Sequence, residues 1–369
     1  MKLFLNIIRI IVGVLFIFSG LLKANDPLGL AYKMQEFFEA WHWAALNDYA
    51  LLLSIVMNVF EVLAGVALLV GWQMRLFSWL LLLLIVFFTF LTSYVLFSDK
   101  IKNCGCFGDC LPLTPIQTFL KDIVLLLLII ILFLNVNKIQ PLFTATTRFT
   151  IVAILLMFTA GLQSYVLEHL PIVDCLPYKK ENNILDQMKL PVGALPDSFV
   201  ITYQYKKDGK TIDFDVNHFP ENFDSSFEYI NRYDKLIRKG NATPKIVDFS
   251  LKTISGVDTT QAIFAQTQPY ILFFAKDFPK GWNKKIESQV FDKIYAAKIP
   301  FYIVTASVDA DKIYSNWFTV LLCDATVIKT AARVNPTYFF MKGATIIDKI
   351  SYADKDAIEK QLQPLNSKP

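Results

Sequence analysis

Charge is what this sequence has least of. Only 18% of its 369 residues are Asp, Glu, Lys or Arg, against 54% apolar, whereas a soluble domain averages about 25% charged. The shortage is one-sided: residues 1–168 carry 19 charged side chains and the remainder carries 49. That excludes a single soluble globule and a disordered chain, which would need high charge and few large apolar groups. Five cysteines in a chain this long exclude a secreted disulfide miniprotein. The net charge of +4, split as +1 and +3 between the two parts, leaves no basic face for nucleic acid. Walker, HExxH, GxSxG and dinucleotide motifs are also absent from the sequence, so hydrolase and nucleotide-enzyme readings have no support. The length suits about two domains.

What is present is a series of apolar runs. Five stretches, roughly Leu3–Leu22, Ala50–Val70, Leu76–Leu96, Pro115–Val136 and Thr150–Leu167, approach the length of about 20 residues that a bilayer crossing needs. Thr114 suits a helix cap and Pro115 the first helical position. The unbroken apolar run of that fourth stretch, Ile123–Leu134, is short, so it crosses only with Lys121 and Asp122 near an interface. A cleaved signal peptide fits residues 1–24 less well, because the apolar core is long, contains Arg9 and has no small-residue cleavage site after it. With a cytoplasmic N-terminus, Lys2, Arg9, Arg75, Lys138 and Arg148 fall on the inside, opposite Lys23, Lys33, Lys100 and Lys102, as positive-inside placement favours. Five spans then put the C-terminal part outside. The expected location is a bacterial inner (cytoplasmic) membrane, with the N-terminus cytoplasmic and the C-terminal domain periplasmic.

Arg9 and Lys23, near opposite ends of the first span, read as snorkelling anchors. Phe37, Phe38, Trp41 and Trp43 read as an interfacial belt or a re-entrant segment. Glu61 sits midway along the second span, and a carboxylate at that depth is a functional candidate by default. It is a candidate for a proton relay or a contact to a quinone-like ligand. A plain helix–helix hydrogen bond, with Asn58 on the same face, is the competing reading.

Three of the five cysteines lie in Asn103-Cys-Gly-Cys-Phe-Gly-Asp-Cys110, between the third and fourth spans. That loop, like Cys175 and Cys323, is expected outside, where disulfides persist. One reading is a redox couple, with Cys104 or Cys106 attacking and Cys110 resolving. Gly105 and Gly108 would supply the bends, and Lys121 would fold back to stabilise a thiolate. Two of the three thiols are then expected to be bridged to each other, the third free or exchanging. The other readings are a structural disulfide, inert thiols, or zinc with a fourth ligand from Cys175 or His42. The spacing lacks the paired pattern of structural zinc sites, so no metal is expected.

Residues 11–29, Ile-Val-Gly-Val-Leu-Phe-Ile-Phe-Ser-Gly-Leu-Leu-Lys-Ala-Asn-Asp-Pro-Leu-Gly, resemble the first helix and following loop of DoxX-like membrane proteins. Cys-Gly-Cys-Phe-Gly at 104–108 resembles the loop of the MauE branch. The resemblance covers residues 1–140 as a four-helix unit. It implies a redox-associated membrane protein, loosely similar to the DsbB and vitamin K epoxide reductase bundles. The whole layout resembles DoxX-family proteins of the Bacteroidota type. Their juxtamembrane segment usually reads Asp-Phe-Arg-Pro-Tyr-Lys, and here it is Asp174-Cys-Leu-Pro-Tyr-Lys179. Cys175 replaces an aromatic, so the resemblance assigns it no role.

Beyond Leu167, Pro171, Pro177, Pro191 and Pro196 mark a linker. Phe199–Tyr205 and Thr211–Val216 flank Lys207-Asp208-Gly209-Lys210, a hairpin signal. A helix is expected at about Ser225–Arg238, stopped by Gly240. The last part reads as strand Tyr270–Ala275, helix Trp282–Ala297, strand Phe301–Thr305, helices near Asp309–Tyr314 and Thr326–Arg333, a hairpin from Tyr338 to Ile350, and helix Lys355–Leu362. This order resembles the thioredoxin fold, and Val334-Asn-Pro-Thr337 resembles its cis-proline position, so Asn335–Pro336 is expected to be cis. Where that fold carries its C-x-x-C, Lys276-Asp-Phe-Pro-Lys-Gly-Trp282 has no cysteine. Cys323 is either a buried strand-end residue or a partner for mixed-disulfide exchange.

The expected fold class is therefore an α-helical transmembrane bundle, a DoxX-like four-helix unit plus a fifth span, followed by an extracytoplasmic α/β thioredoxin-like domain. The expected divisions are 1–140 for the four-helix unit, 141–168 for the fifth span, 169–244 for linker, hairpin and helix, and 245–369 for the thioredoxin-like domain. The expected function is thiol/disulfide exchange through the loop with an envelope thiol protein or membrane complex. Cys104, Cys106 and Cys110 would carry the chemistry, and a quinone-like acceptor would lie near Glu61. The alternative is a non-catalytic envelope assembly or binding protein whose thioredoxin-like domain is a degenerate recognition module.

Overall fold

The structure, a computed structural model, describes residues 2–98, 101, 104–191, 193–195, 198–207, 209–215, 220, 223–238, 240, 243–278 and 284–366. Lys100, Lys102, Asn103, Pro196, Asp208, Val216 and Trp282 from the expectations above lie outside these residues. The chain forms two compact units, residues 182–249 and everything on either side of them.

In the larger unit, α1 (Lys2–Ala24) leads through Asp26 into α2 (Pro27–Ala40). The Asp26 carboxylate accepts from Gly29 N at 2.9 Å, and Pro27 occupies the first helical position, a strong start signal. A 3-10 turn (Ala44–Tyr49) then enters α3 (Ala50–Val70), followed by α4 (Met74–Ser98), α5 (Pro115–Leu134) and α6 (Ala145–His169). Helices α1, α3, α4, α5 and α6 are long and apolar enough to cross a membrane. The start of α5 is a capping box: Thr114 accepts from Gln117 N at 3.3 Å while Gln117 accepts from Thr114 N at 3.0 Å, two orphan donors satisfied together.

Helices α1 and α3 cross at glycines. A Cβ on Gly65 would lie 2.7 Å from Gly13 O, and one on Gly20 would lie 2.7 Å from the Val62 side chain. Small residues let membrane helices approach closely, and this contact brings Lys23 beside Glu61. At the far end of the same pair, Arg9 is buried and bonds the carbonyls of Leu68 (2.7 Å), Leu69 and Gln140 (2.9 Å). The expected snorkelling anchor is instead a cap on the last carbonyls of α3, groups that a helix end leaves unpaired. Arg148 does the same for Gly71 O at 2.9 Å.

The C-terminal part of this unit is a five-stranded sheet. Its strands are β4 (Pro269–Phe274), β5 (Phe301–Thr305), β6 (Thr319–Leu322), β7 (Thr337–Lys342) and β8 (Thr345–Ser351), in the order β6-β5-β4-β7-β8. Strands β4, β5 and β6 are parallel, and β7 and β8 run antiparallel. The unbroken apolar run Tyr270–Phe274 is completely buried, as a central strand covered on both faces must be. Phe273 packs on Tyr338, Phe291 and Phe301 with ring centres 4.8–5.6 Å apart. Gly343, at φ 56°, turns the β7–β8 hairpin. Helices α8 (Thr260–Phe264), α9 (Lys284–Ala296), α10 (Asp309–Tyr314), α11 (Ala325–Ala331) and α12 (Lys355–Asn366) complete this part. Strand β6, α8 and the full length of α2 were not expected.

The smaller unit contains α7 (Ile184–Gln187) and an antiparallel sheet of β1 (Ser198–Lys207), β2 (Lys210–Asp215) and β3 (Glu228–Arg238), in the order β2-β1-β3. The hairpin is present, but the helix expected at Ser225–Arg238 is the strand β3. Tyr229, Ile230, Tyr233 and Ile237 suit a strand, and β3 pairs with β1, with Tyr205 opposite Tyr229 and Thr202 opposite Tyr233. Cross-strand pairing of this kind overrides local helical spacing.

Candidate functional site

The loop between α4 and α5 folds at two left-handed glycines, Gly105 (φ 71°) and Gly108 (φ 60°), closed by Gly108 N donating to Gly105 O at 2.9 Å. A side chain at Gly105 would press on Lys33 of α2, at 3.0 Å. The result is that Cys104 and Cys106, two residues apart, place their sulfurs 2.9 Å from each other, both buried. A disulfide needs about 2.05 Å, so the two thiols need only a small movement to form a bridge once an oxidant removes two electrons and two protons.

Cys110 does not join them. It is bonded to Cys175, with a Cα–Cα distance of 4.8 Å. The expectation that two loop cysteines pair with each other, with Cys175 unassigned, is therefore corrected. Cys175 is half-exposed just beyond α6, and its bridge to Cys110 ties the juxtamembrane segment to the loop. The inner thiols Cys104 and Cys106 are buried below this half-exposed outer pair. With Cys110 bonded, only two loop thiols remain, short of the four ligands of structural zinc. Among the described residues, no group of three or more His, Cys, Asp or Glu gathers as a metal site.

The inner pair differs in acidity. The hydrogen bond between the sulfurs holds Cys106 below the ordinary thiol value, against burial and with help from the charge of Lys121. The same bond and burial push Cys104 well up. Cys106 is thus the more acidic member of the pair, and a thiolate is the better nucleophile. Lys121 Nζ is 4.7 Å from the centre of the Phe107 ring and 2.9 Å from the Asp122 carboxylate, which also accepts from Thr92 at 3.1 Å. Cys323, after β6, is buried, and burial pushes its thiol up to about 12. Iodoacetamide at about pH 8 should therefore modify Cys106 first, with the rate rising at lower pH than for an ordinary thiol of pKa about 8.5. Cys323 should stay unmodified until the protein unfolds. Peptide mass mapping over a pH series checks the order.

Beneath the loop, Ser19 Oγ lies 3.0 Å from Cys106 O and 3.0 Å from Glu61 Oε2. The other Glu61 oxygen pairs with Lys23, and both side chains are almost completely buried. Lys23 is therefore an internal ion-pair partner and not an interfacial anchor. Asn58 donates to Lys23 O at 3.1 Å and to Gln163 of α6 at 3.0 Å. A cavity of about 490 Å³ opens beside this cluster, between α2, α3 and α4. Its lining is almost wholly apolar, with Lys23, Cys104 and Cys106 in its wall. Glu61 does not line it, so Lys23 stands between the carboxylate and the cavity. Of the expected aromatic belt, Phe37, Phe38 and Trp41 face the cavity, with the Trp41 ring 5.5 Å from those of Phe37 and Tyr94.

The C-terminal sheet meets the loop through Arg333. Its guanidinium, 5% exposed, bonds Asp26 at 2.8 Å and Asp109 at 2.6 Å, and lies 5.5 Å from the Tyr32 ring. Asp109 adjoins Cys110. Lys349 of β8 likewise pairs with Asp174 at 2.7 Å, next to Cys175. Asn335, before the cis bond to Pro336, accepts from Lys276 N at 3.0 Å and donates to Asp277 at 2.7 Å. Sequence reading missed Cys175, Lys23 and Arg333 as parts of this site. For Cys175 a signal existed: an unassigned thiol on the same expected side as the loop.

A comparison of the sequence with known families matches this same membrane part. Residues 1–135 fit the family model described as methylamine utilisation protein MauE. The membrane part is MauE-like. Residues 199–239, the β1–β3 sheet, fit a model described as a domain of unknown function. Among curated proteins, Protein TlpB of Flavobacterium psychrophilum is 31% identical over 134 residues, 36% of this chain and 36% of that protein. The match thus spans about a third of that relative's length. No solved structure matches the chain. The MauE-like part contains both inner cysteines, Cys110 and the Lys23–Glu61 pair. Cys175 and Arg333 lie beyond it.

Proposed function

We propose that this protein is a membrane thiol–disulfide oxidoreductase that works through two cysteine pairs in series. The observation that carries this reading is the arrangement of the pairs: a half-exposed Cys110–Cys175 disulfide and, four residues back in the same loop, the buried Cys104/Cys106 dithiol. A thiolate of an envelope partner attacks the outer disulfide, forming a mixed disulfide and releasing one outer thiolate. The partner's second thiol then breaks the mixed disulfide. The partner leaves oxidised, and Cys110 and Cys175 leave as thiols. Those thiols in turn reduce a Cys104–Cys106 disulfide and re-form their own bridge, and the inner dithiol gives two electrons and two protons to a quinone-like acceptor. The redox association implied by the DoxX/MauE resemblance supports this reading.

Placement supports it too. Arg9 and Arg148, in the membrane part, bond carbonyls at the α3–α4 turn, which suits a cytoplasmic face. With that face cytoplasmic, five spans favour a periplasmic cysteine loop and C-terminal part in an inner-membrane protein. The β-α-β-α-β-α-β-β-α order and the mixed sheet support a thioredoxin-like domain within residues 245–369. That domain has no cysteine in residues 276–282, directly after β4, and Arg333 docks it on the loop. Those two facts favour the second reading, a non-catalytic assembly protein with a degenerate recognition domain.

Trapping separates the two. Cys110→Ser or Cys175→Ser leaves one outer thiol, which attacks the disulfide of the oxidised partner in the reverse exchange and, with no second outer thiol to resolve it, should hold the partner as a mixed disulfide, a reductant-sensitive band on a non-reducing gel. The double variant should show none. If neither single variant traps a partner, the assembly reading replaces this one.

A further inference from the structure

Each cysteine of the outer disulfide follows a carboxylate that the C-terminal sheet domain holds with a buried cation. We propose that Arg333 and Lys349 are positioning residues for Cys110 and Cys175, clamping the outer sulfurs together so that the reduced pair passes its electrons inward; the inward step rests on the thiol-exchange reading above. Asp109 precedes Cys110, and Arg333 holds it at 2.6 Å. Asp174 precedes Cys175, and Lys349 holds it at 2.7 Å. The two cationic side chains are 5% and 3% exposed, a depth that Arg and Lys reach almost only when paired. The Arg333 fork also bonds Asp26 at 2.8 Å. Beside Asp26, Asn25 exchanges two hydrogen bonds with Val173, at 2.9 and 3.0 Å. One network therefore grips both the loop and the juxtamembrane segment, although 65 residues separate their cysteines. The same domain is seated on the end of α6, where His169 lies 2.7 Å from Asp354.

The consequence follows from proximity. When a dithiol or two single thiols open the outer bridge, one S–S bond is lost and Cys110 and Cys175 each gain a proton. The reductant loses two S–H bonds and forms its own disulfide. An unclamped pair would drift apart, and re-forming the bridge would again cost the entropy of closing a long loop. Clamped, the two sulfurs stay within reach at a high effective concentration. The disulfide form is then favoured, which makes the outer dithiol the stronger reductant of a Cys104–Cys106 bridge. The coupling is reciprocal: the factor by which docking favours the bridge is the factor by which the bridge favours docking. A domain with no cysteine in residues 276–282 thus takes part in exchange without a dithiol of its own.

The test equilibrates the full-length protein in detergent with glutathione buffers of graded reduced-to-oxidised ratio. Acid quenching, alkylation and peptide mapping then read the bridged fraction of Cys110 and Cys175. Arg333→Met and Lys349→Met should each raise the equilibrium constant for reduction of this bridge about tenfold, within the roughly 5–150-fold usual for coupled sites. Asp109→Asn keeps the fold, because Asp109 is 41% exposed and Arg333 stays paired with Asp26. It should shift the constant the same way by about threefold, the scale of a partly exposed ion pair. Added to Arg333→Met it should shift the constant no further, since Arg333 acts on the loop through that carboxylate. A side chain that only stabilised the fold would leave the constant of the folded Asp109→Asn protein unchanged, and that result would overturn the inference. Trapping of a partner judges the exchange reading separately. A shifted constant with no partner trapped overturns the exchange reading and keeps the clamp on the disulfide; a trapped partner with an unshifted constant overturns the clamp alone.

Discussion

Replacing Cys106 by Ser is expected to stop thiol turnover, by roughly 10³-fold or more, the scale on which loss of a nucleophile is felt. The expectation follows from the asymmetry of the inner pair. Cys106 is held below the ordinary thiol value by its bond to Cys104 and by Lys121, which favours it as the more reactive thiol of the pair. Serine matches its size and loses only that chemistry. The loop is also held by Ser19 on the Cys106 carbonyl and by the Cys110–Cys175 bridge, so stability should change by only about 1 kcal/mol. Cys104→Ser should be equally inactive, because no bridge can form. Dithiol oxidation by purified protein, beside thermal unfolding of the same preparations, measures both effects. A Cys106→Ser protein that still turns over would remove the inner pair from the pathway.

Lys23→Met is expected to have the largest effect on stability. Lys23 and Glu61 are both nearly inaccessible and pair with each other, and removing one partner of such a pair costs about 3–5 kcal/mol by leaving a buried charge alone. Ser19, at 3.0 Å from Glu61, gives a hydrogen bond and no compensating charge. The double variant Lys23→Met/Glu61→Leu should recover most of the loss, since an apolar pair in that space is often neutral. Helical circular dichroism during heating in detergent, on the two single variants and the double, gives the coupling. A Lys23→Met protein as stable as wild type would mean that the pair does not hold α1 to α3.

The spans and the cysteine loop were legible because their signals are local. An apolar run of span length, a Thr-Pro helix start at 114–115 and three cysteines in seven residues need no partner to be recognised. The misreadings share the opposite property. Strand β3 looks helical in isolation because its pairing with β1 joins residues far apart in sequence. Lys23 and Arg9 look like snorkelling anchors because their partners, Glu61 and the carbonyls of Leu68 and Leu69, lie on another helix. Cys110 and Cys175 are 65 residues apart, and no spacing rule joins them. Arg333 lies more than 200 residues from Asp109, and no local pattern marks it as an internal contact. Glu61 stood out in the sequence as an intramembrane carboxylate, yet it reaches the cavity only through Lys23.

The most direct test of the central claim is the redox state of Cys104 and Cys106 in living cells. Rapid acid quenching, alkylation and mass mapping of the loop peptide measure the fraction bridged. A pair that cycles should be part dithiol and part disulfide, shifting toward dithiol when the electron acceptor is limiting and back when it is restored. A pair found wholly in one state under every growth condition would contradict thiol exchange and leave the loop a structural element.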